Sequence, residues 1–220
     1  MLGYATARHA LNLGRVGFFG DPLADLPSSS SEDIRNDDLT PQFGYVGVRY
    51  EEFRVLLLGI NPGNGPRDCR SPADKAMMPK LNRFRDEPSG ETFQFASTAF
   101  AEACRNWPVW RRFCGELFGE DKLSLDQVAY SNCLPWRTAT EARYSDETAE
   151  RAVHHYVLPL ITELKPKIVI ALYRRVARIL EMNDRQIEGL ITWNGARAPT
   201  EAVRLEREDT ARKILRRLRD

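Results

Sequence analysis

The sequence predicts an α/β fold of three layers, in which a central, mostly parallel sheet of four strands lies between two layers of helices. Short aliphatic runs such as VLLLG (55–59) and KIVIAL (167–172) have the length and composition of buried strands. Segments with apolar residues at helical spacing alternate with these runs. This alternation implies right-handed crossovers, which place parallel strands side by side and cover both faces of the sheet.

The individual elements follow from local patterns. In one predicted helix, Ser145 is a suitable N-cap followed by two acidic residues, and Pro159 should kink or divide the helix. In the last one, Ala211, Ile214 and Leu218 share an apolar face with arginines opposite. The predicted elements are a strand near 53–60, helical material at 93–118, a strand at 127–132, a helix at 145–164, a strand at 167–172, a helix at 174–182, a short strand at 189–193 and a helix at 204–219.

Length and composition favour one domain spanning 1–220, with residues 1–45 as an N-terminal extension. Within that extension, the polar, serine-rich segment 26–38 predicts a flexible insert. The sequence contains no apolar run of 18 residues and no signal-peptide pattern. We therefore expect a cytoplasmic protein with no membrane association, and nothing in the sequence implies an obligatory protein partner.

The charged residues are mostly arginine. The chain has 26 Arg against 6 Lys at a net charge of +1, and basic residues are in excess over 165–220. Arginine suits phosphate groups and base edges, which favours a nucleic-acid partner. Arginine-rich coding and solvated helix faces explain the same excess equally well.

The four cysteines do not form the close pairs typical of structural zinc sites. Cys69, Cys104, Cys114 and Cys133 lack C-x-x-C spacing, so we interpret them as reduced thiols and predict neither metal nor cofactor. An iron–sulfur or zinc site assembled by the fold is the alternative.

The loop after the first strand, GINPG (59–63), carries no ionisable side chain. It does not complete a P-loop, a dinucleotide-binding fingerprint or a nucleophile elbow. In an α/β sheet, ligands usually bind beyond the carboxyl ends of the strands, where both Asn61 and Asn132 are expected to lie.

Three segments in this order resemble the uracil-DNA glycosylase superfamily, and most closely its mismatch-specific branch. They are GINPG after a strand, YSNCLPWRT (130–138) at the end of a second strand, and LKPKIVIALYRRVARIL (164–180). The chain departs from this pattern in two places. Tyr173 stands where a glycine is usual, and Ala198-Pro199-Thr200 would occupy the position of a His-Pro-Ser or Asn-Pro-Ser loop.

The resemblance implies roles for particular residues. Asn61 would position the attacking water, and the residues that contact the flipped base would be Ile60, Pro62, Gly63, Phe84 and Asn132. Phe93 and Phe95 compete with Phe84 for stacking on the base, and core packing is the alternative for each. The residues expected to contact DNA are Asn64, Arg197, Thr200 and Arg204.

The predicted activity is that of a monofunctional DNA glycosylase, which hydrolyses the N-glycosidic bond of a flipped pyrimidine and leaves an abasic site. Asn64 and Gly65 are small or flexible, so the pocket should tolerate substituents at the fifth carbon of the base. Candidate bases are thus uracil, mismatched thymine or modified cytosine, in DNA repair or in defence against phage. The alternatives are an inactive DNA-binding module on the same scaffold and an enzyme acting on free nucleotides or nucleosides.

Overall fold

A computed structural model describes residues 2–21, 39–60, 62, 72–107, 115–119, 122–138, 145–181, 187–195 and 199–219. Helices and strands alternate over most of this range, as the sequence predicts. In chain order the elements are α1 (Tyr4–Phe19), β1 (Tyr45–Val46), α2 (Tyr50–Phe53), β2 (Val55–Gly59), α3 (Pro72–Asp86), α4 (Gly90–Asn106), a 3-10 turn (Leu125–Gln127), β3 (Val128–Asn132), α5 (Asp146–Ala152), a π-helical segment (Val153–Val157), α6 (Leu158–Leu164), β4 (Ile168–Ala171), α7 (Arg174–Glu181), β5 (Leu190–Thr192) and α8 (Glu201–Arg217).

The strands form one sheet in the order β1-β3-β2-β4-β5. The four strands that the sequence predicts are all present and pair with one another in parallel, so the α/β class and the mostly parallel sheet are confirmed. The predicted number of four strands is wrong, because β1 adds a fifth, antiparallel strand at the edge beside β3. With only two residues, β1 is too short to give a periodic signal in the sequence.

The chain just before β1 approaches β3 closely at Gly44. A Cβ atom at Gly44 would lie 1.8 Å from the carbonyl oxygen of Tyr130, and the residue has a φ of 82°. Glycine is the residue that adopts this conformation without steric cost. Gly44 therefore allows β1 to pair with the edge of the sheet.

Helices contact both faces of the sheet. Adjacent side chains of a strand point to opposite faces of the sheet, so two neighbouring residues of β3 show which helix covers each face. The hydroxyl groups of Ser131 and Tyr156, the latter in the π-helical segment, lie 2.8 Å apart on one face. On the other face, the ring of Tyr130 lies 6.0 Å from that of Phe100 in α4. This arrangement is compatible with three α/β/α layers.

The helix predicted at 145–164 is divided, as its proline suggests. Ser145 caps α5 by accepting a hydrogen bond from the backbone N–H of Thr148 at 3.1 Å. The π-helical segment then separates α5 from α6, which contains Pro159 in its first turn. A proline lacks the N–H needed in a helix interior, so a widened turn just before it accommodates the ring.

Three helices have no counterpart in the sequence prediction, which assigned none to 4–19, 50–53 or 72–86. Helix α1 packs on the domain: Phe18 is fully buried, and the Glu163 carboxylate accepts a hydrogen bond from the backbone N–H of Thr6 at 2.9 Å. The serine-rich segment 26–38 lies outside the described residues. Among the described helices, none combines the length and apolar character needed to cross a membrane.

Candidate functional site

The carboxyl ends of β2 and β3 are joined by backbone hydrogen bonds. Gly59 and Asn132 are partners in the parallel register. The pairing continues beyond the strands, since the N–H of Cys133 donates to the carbonyl of Gly59 at 2.9 Å and the N–H of Leu134 donates to that of Ile60 at 3.0 Å. The structure thus brings together the first two of the three sequence segments at one edge of the sheet.

The side chain of Asn132 lies across Gly59. Asn132 is 2% exposed, and its Oδ1 accepts a hydrogen bond from the Tyr130 hydroxyl at 3.1 Å. A Cβ atom at Gly59 would lie 2.4 Å from that Oδ1, well inside van der Waals contact. A side chain at position 59 and the present placement of Asn132 are therefore incompatible.

Part of the predicted site falls outside the described residues. Asn61, Gly63, Asn64 and Arg197 belong to this part, and their roles stay predictions. Ile60 and Pro62, which flank Asn61 in the chain, are both buried. The described beginning of the GINPG loop is thus packed against the domain.

The loops after β4 and β5 also pack together. The N–H of Trp193 donates to the carbonyl of Ala171 at 2.7 Å. A Cβ atom at Gly195 would lie 2.2 Å from the carbonyl oxygen of Leu172 and 2.7 Å from the ring of Tyr173. The bulky Tyr173 is accommodated by a glycine on the facing loop.

A buried arginine in α8 holds the loop after β5. Arg207 is 1% exposed, its Nε donates to the carbonyl of Asn194 at 2.6 Å, and its guanidinium lies 3.8 Å from the Glu116 carboxylate. The Asn194 side chain in turn donates to Glu206 at 2.8 Å. The sequence analysis missed Arg207, although its spacing from Ala211 and Ile214 puts it on the apolar face of α8.

Thr200 and Arg204 lie at the start of α8. Thr200 is exposed and is the N-cap, with its Oγ1 accepting a hydrogen bond from the N–H of Val203 at 3.4 Å. This cap explains why α8 begins before the predicted residue 204. Arg204 is exposed, with a nitrogen 3.7 Å from the Glu201 carboxylate. Both side chains are accessible at a helix N-terminus, an environment that favours anions.

Phe84, the predicted stacking residue, lies in the core. It is 1% exposed, and its ring packs on Phe43 and Phe93 with centroid distances of 5.9 and 5.2 Å. Phe93 is also buried, whereas Phe95 is exposed. Phe84 therefore packs in the core, which is the alternative that the sequence analysis left open. Stacking on a base stays a prediction, and it requires part of the ring to become accessible.

The groups around the end of β3 are uncharged at neutral pH. Burial raises the pKa of the Cys133 thiol to about 12, so this thiol is not a thiolate nucleophile. Burial also raises the pKa of the Tyr156 hydroxyl, whose oxygen lies 3.0 Å from the Phe43 carbonyl, to which it donates. The amide of Asn132 does not ionise. These groups can orient a ligand by hydrogen bonds but do not supply a charged nucleophile.

The position of β2 in the sheet agrees with a ligand site at this edge. From β2 the chain passes to β3 on one side and then to β4 on the other, which makes β2 the place where the strand order reverses. In open α/β sheets, ligands bind beyond the carboxyl ends of the strands at such a point. No protein-family model matches the chain, and no curated protein is significantly similar to it.

Proposed function

We propose that the protein is a monofunctional DNA glycosylase that flips a pyrimidine out of the duplex and hydrolyses its N-glycosidic bond. The observation that carries the proposal is the arrangement of Gly59 and Asn132. The backbone of the GINPG segment is hydrogen-bonded to the loop after β3, and a buried amide lies across it. The sequence resemblance assigns these two segments to the water-positioning and base-binding parts of one pocket.

The proposed reaction suits a neutral site. The base departs with the electrons of the glycosidic bond, and water then attacks the sugar cation. The protein stabilises the leaving anion with oriented hydrogen-bond donors, which need no reorganisation during the reaction. Asn61 orients the water through its side-chain carbonyl, a role that depends on geometry more than on pKa.

Asn132 recognises the base in this proposal. An amide offers one acceptor and two donors, which can pair with the edge of a flipped pyrimidine. Burial raises the selectivity of such a contact, because a mismatched partner leaves a polar group without a hydrogen bond and without water. The small residues after GINPG add tolerance for substituents on the base, in a repair role or in defence against phage.

DNA phosphates bind beside the start of α8. Thr200 and Arg204 are exposed at the N-terminus of a helix of 17 residues, where backbone N–H groups and the helix dipole attract anions. Arg197, just before this helix in the chain, adds a guanidinium to the same stretch of sequence. Such contacts give affinity that falls steeply with salt.

A strand-scission assay tests the proposal. Duplexes of one sequence contain uracil, mismatched thymine or 5-hydroxymethylcytosine, and alkali converts each abasic site into a break. We expect scission with at least one duplex and its loss in Asn61→Ala and Asn132→Ala. Asn106→Ala is the control, because Asn106 is exposed and, among the described residues, its side chain donates only to the Glu102 carbonyl of its own helix, at 2.9 Å.

The other outcomes identify the alternatives. Salt-sensitive binding to the duplexes with no scission would favour an inactive DNA-binding module. Release of base from free nucleosides, with no salt-sensitive DNA binding, would favour an enzyme of nucleotide metabolism. Equal scission by the wild type and by Asn61→Ala would contradict the role proposed for Asn61.

A further inference from the structure

Tyr173 lies at the carboxyl end of β4, beside the end of β2. The N–H of Leu172 donates to the carbonyl of Leu58 at 2.9 Å, which extends the pairing of β4 with β2 to the residue before Tyr173. The Tyr173 carbonyl accepts a hydrogen bond from the N–H of Ala177 at 3.2 Å, in the first turn of α7. These backbone contacts hold Tyr173 at the edge of the sheet that carries the proposed pocket.

Tyr173 is partly exposed, and its ring contacts the loop after β5. A Cβ atom at Gly195 would lie 2.7 Å from two atoms of this ring. Phe84, which the resemblance implies as the stacking residue, Trp136 after β3 and Trp193 after β5 are only 1%, 2% and 0% exposed. A nucleobase cannot stack on these three rings without a rearrangement of the core, whereas Tyr173 is already accessible.

The strand order places Tyr173 between the two parts of the proposed DNA site. Strand β4 lies between β2, which leads into GINPG, and β5, which leads to Thr200 at the start of α8. A DNA strand that reaches both parts therefore crosses the end of β4. Asn132 and Tyr173 belong to strands two interstrand spacings apart, about 9–10 Å. Because the Tyr173 ring is directed toward β5, a base stacked on it is the neighbour of the base at Asn132.

Two arginines accompany the ring. Arg174 and Arg178 are exposed, and their spacing of four residues puts them on one face of α7. Neither forms an ion pair with a residue that the structure describes. An aromatic ring beside exposed cations is the combination that binds unpaired nucleic-acid strands, since bases stack on the ring and phosphates contact the charges.

We propose that Tyr173 is a stacking residue for the nucleobase next to the flipped pyrimidine, with Arg174 and Arg178 binding the adjacent phosphates. The inference rests on the proposed function, which puts the flipped base at Asn132. It names the preferred substrate as DNA in which the neighbouring base is unpaired, because a base in an intact duplex is already stacked on both faces.

A double-mutant cycle between the ring and the base isolates this contact. The probes are single-stranded oligonucleotides with a central 2′-fluorodeoxyuridine, which resists hydrolysis, and with either thymine or a base-free tetrahydrofuran residue as its 5′ or 3′ neighbour. Removing the neighbouring base on one side should raise the Kd of the wild type by about 5- to 150-fold, the effect of one stacked base. In Tyr173→Leu, the same removal should change Kd by less than about twofold, and any effect of the substitution on folding cancels in this ratio.

Three kinds of variant act as controls. Tyr173→Phe keeps the ring and should keep the wild-type ratio. Phe95→Leu should keep it as well, because it removes an aromatic ring that is 48% exposed on α4, outside the proposed path of the strand. Arg174→Gln and Arg178→Gln should weaken the binding of all probes by a similar factor and reduce the salt dependence.

Binding is measured apart from hydrolysis, so the two proposals fail in different ways. Coupling between Tyr173 and the neighbouring base, without scission of any uracil-containing DNA, would support stacking and refute the proposed catalysis. Scission together with a wild-type ratio in Tyr173→Leu would overturn the stacking and leave the proposed function intact. If Tyr173→Leu does not fold, ultraviolet crosslinking of the wild type to 5-iodouracil at the neighbouring position decides. The crosslinked peptide should contain Tyr173, and a crosslink elsewhere would overturn the inference.

Discussion

Gly59→Ala tests the geometry of the candidate site directly. The added methyl group would lie 2.4 Å from Oδ1 of Asn132 and 3.1 Å from the Tyr130 hydroxyl. The backbone of Gly59 is at the end of a buried strand between two neighbours, so it has little freedom to withdraw. The Asn132 side chain must therefore move, and the Tyr130–Asn132 hydrogen bond is lost.

Opposing effects determine the size of the change in stability. In a strand, alanine makes the folded state more stable than glycine does by about 0.5–1 kcal/mol, because alanine loses less conformational entropy on folding. Overpacking costs about 1–3 kcal/mol, and the lost hydrogen bond costs about 1 kcal/mol. The free energy of unfolding should fall by about 1–3 kcal/mol, which lowers Tm by roughly 2–10 °C in a chain of this size. Displacement of the amide by about 1 Å should reduce the kcat/KM of the proposed glycosylase reaction on the order of 100-fold.

Thermal and urea unfolding measure the first effect, and the strand-scission assay measures the second. Gly90→Ala is the matched control, since it adds the same methyl group in the first turn of α4, with no described atom within 4 Å. If Gly59→Ala is as stable as this control and cleaves at the wild-type rate, Asn132 does not lie across Gly59 as described.

Three further predictions concern other parts of the domain. Replacing Arg207 with Met should destabilise the protein by about 3 kcal/mol in urea unfolding, because it leaves Glu116 without its partner. Burial is the main cause that lowers the pKa of His155, and the charge of His9 is the second. The unfolded chain therefore binds the proton more readily than the folded protein. The free energy of unfolding should therefore fall as pH drops through about 6.5 and level off below the folded-state pKa, a slope that His155→Gln reduces. Thr200→Ala should cost about 1 kcal/mol through loss of the α8 cap, measured by thermal melting.

Each of these predictions has its own control. Adding Glu116→Gln to the Arg207→Met variant should recover part of the lost stability, and no recovery would contradict the ion-pair explanation. A wild-type pH profile identical to that of His155→Gln would contradict the shifted pKa. Thr200→Ser keeps the capping oxygen and should retain stability, so an equal loss in both variants would assign the effect to the methyl group.

The main strands were predictable because their signals are long and local. Four or five consecutive aliphatic residues are typical of a strand with both faces buried, as in β2 and β4. Strand β1 was not predictable from periodicity, because its two residues pair through the close approach of Gly44 to Tyr130. That approach is a tertiary contact between residues 86 positions apart, and no local pattern encodes it.

The same distinction holds for the site. The sequence predicts that GINPG and Asn132 lie at neighbouring strand ends, because parallel strands align their carboxyl ends. It does not predict that the Tyr130 hydroxyl pairs with Asn132, since a tyrosine hydroxyl bonds to whichever polar atom folding brings beside it. Nor does it predict that Gly195 accommodates Tyr173. The first contact depends on the side-chain conformations of two residues of β3, and the second depends on the spacing of the loops after β4 and β5.

The two places where the sequence departs from the pattern that it resembles differ in their structural surroundings. Tyr173 is compensated, because Gly195 on the facing loop leaves space for its ring and keeps the loops after β4 and β5 in contact. Ala198-Pro199-Thr200, which by resemblance corresponds to a His-Pro-Ser or Asn-Pro-Ser loop, has no polar side chain at its first position but has the proline and a hydroxyl residue. Thr200 uses that hydroxyl to cap α8, and Arg207 ties the same helix to Asn194. These contacts anchor both ends of the segment, which fits the proposed site, because that site acts by position and hydrogen bonding and needs no histidine.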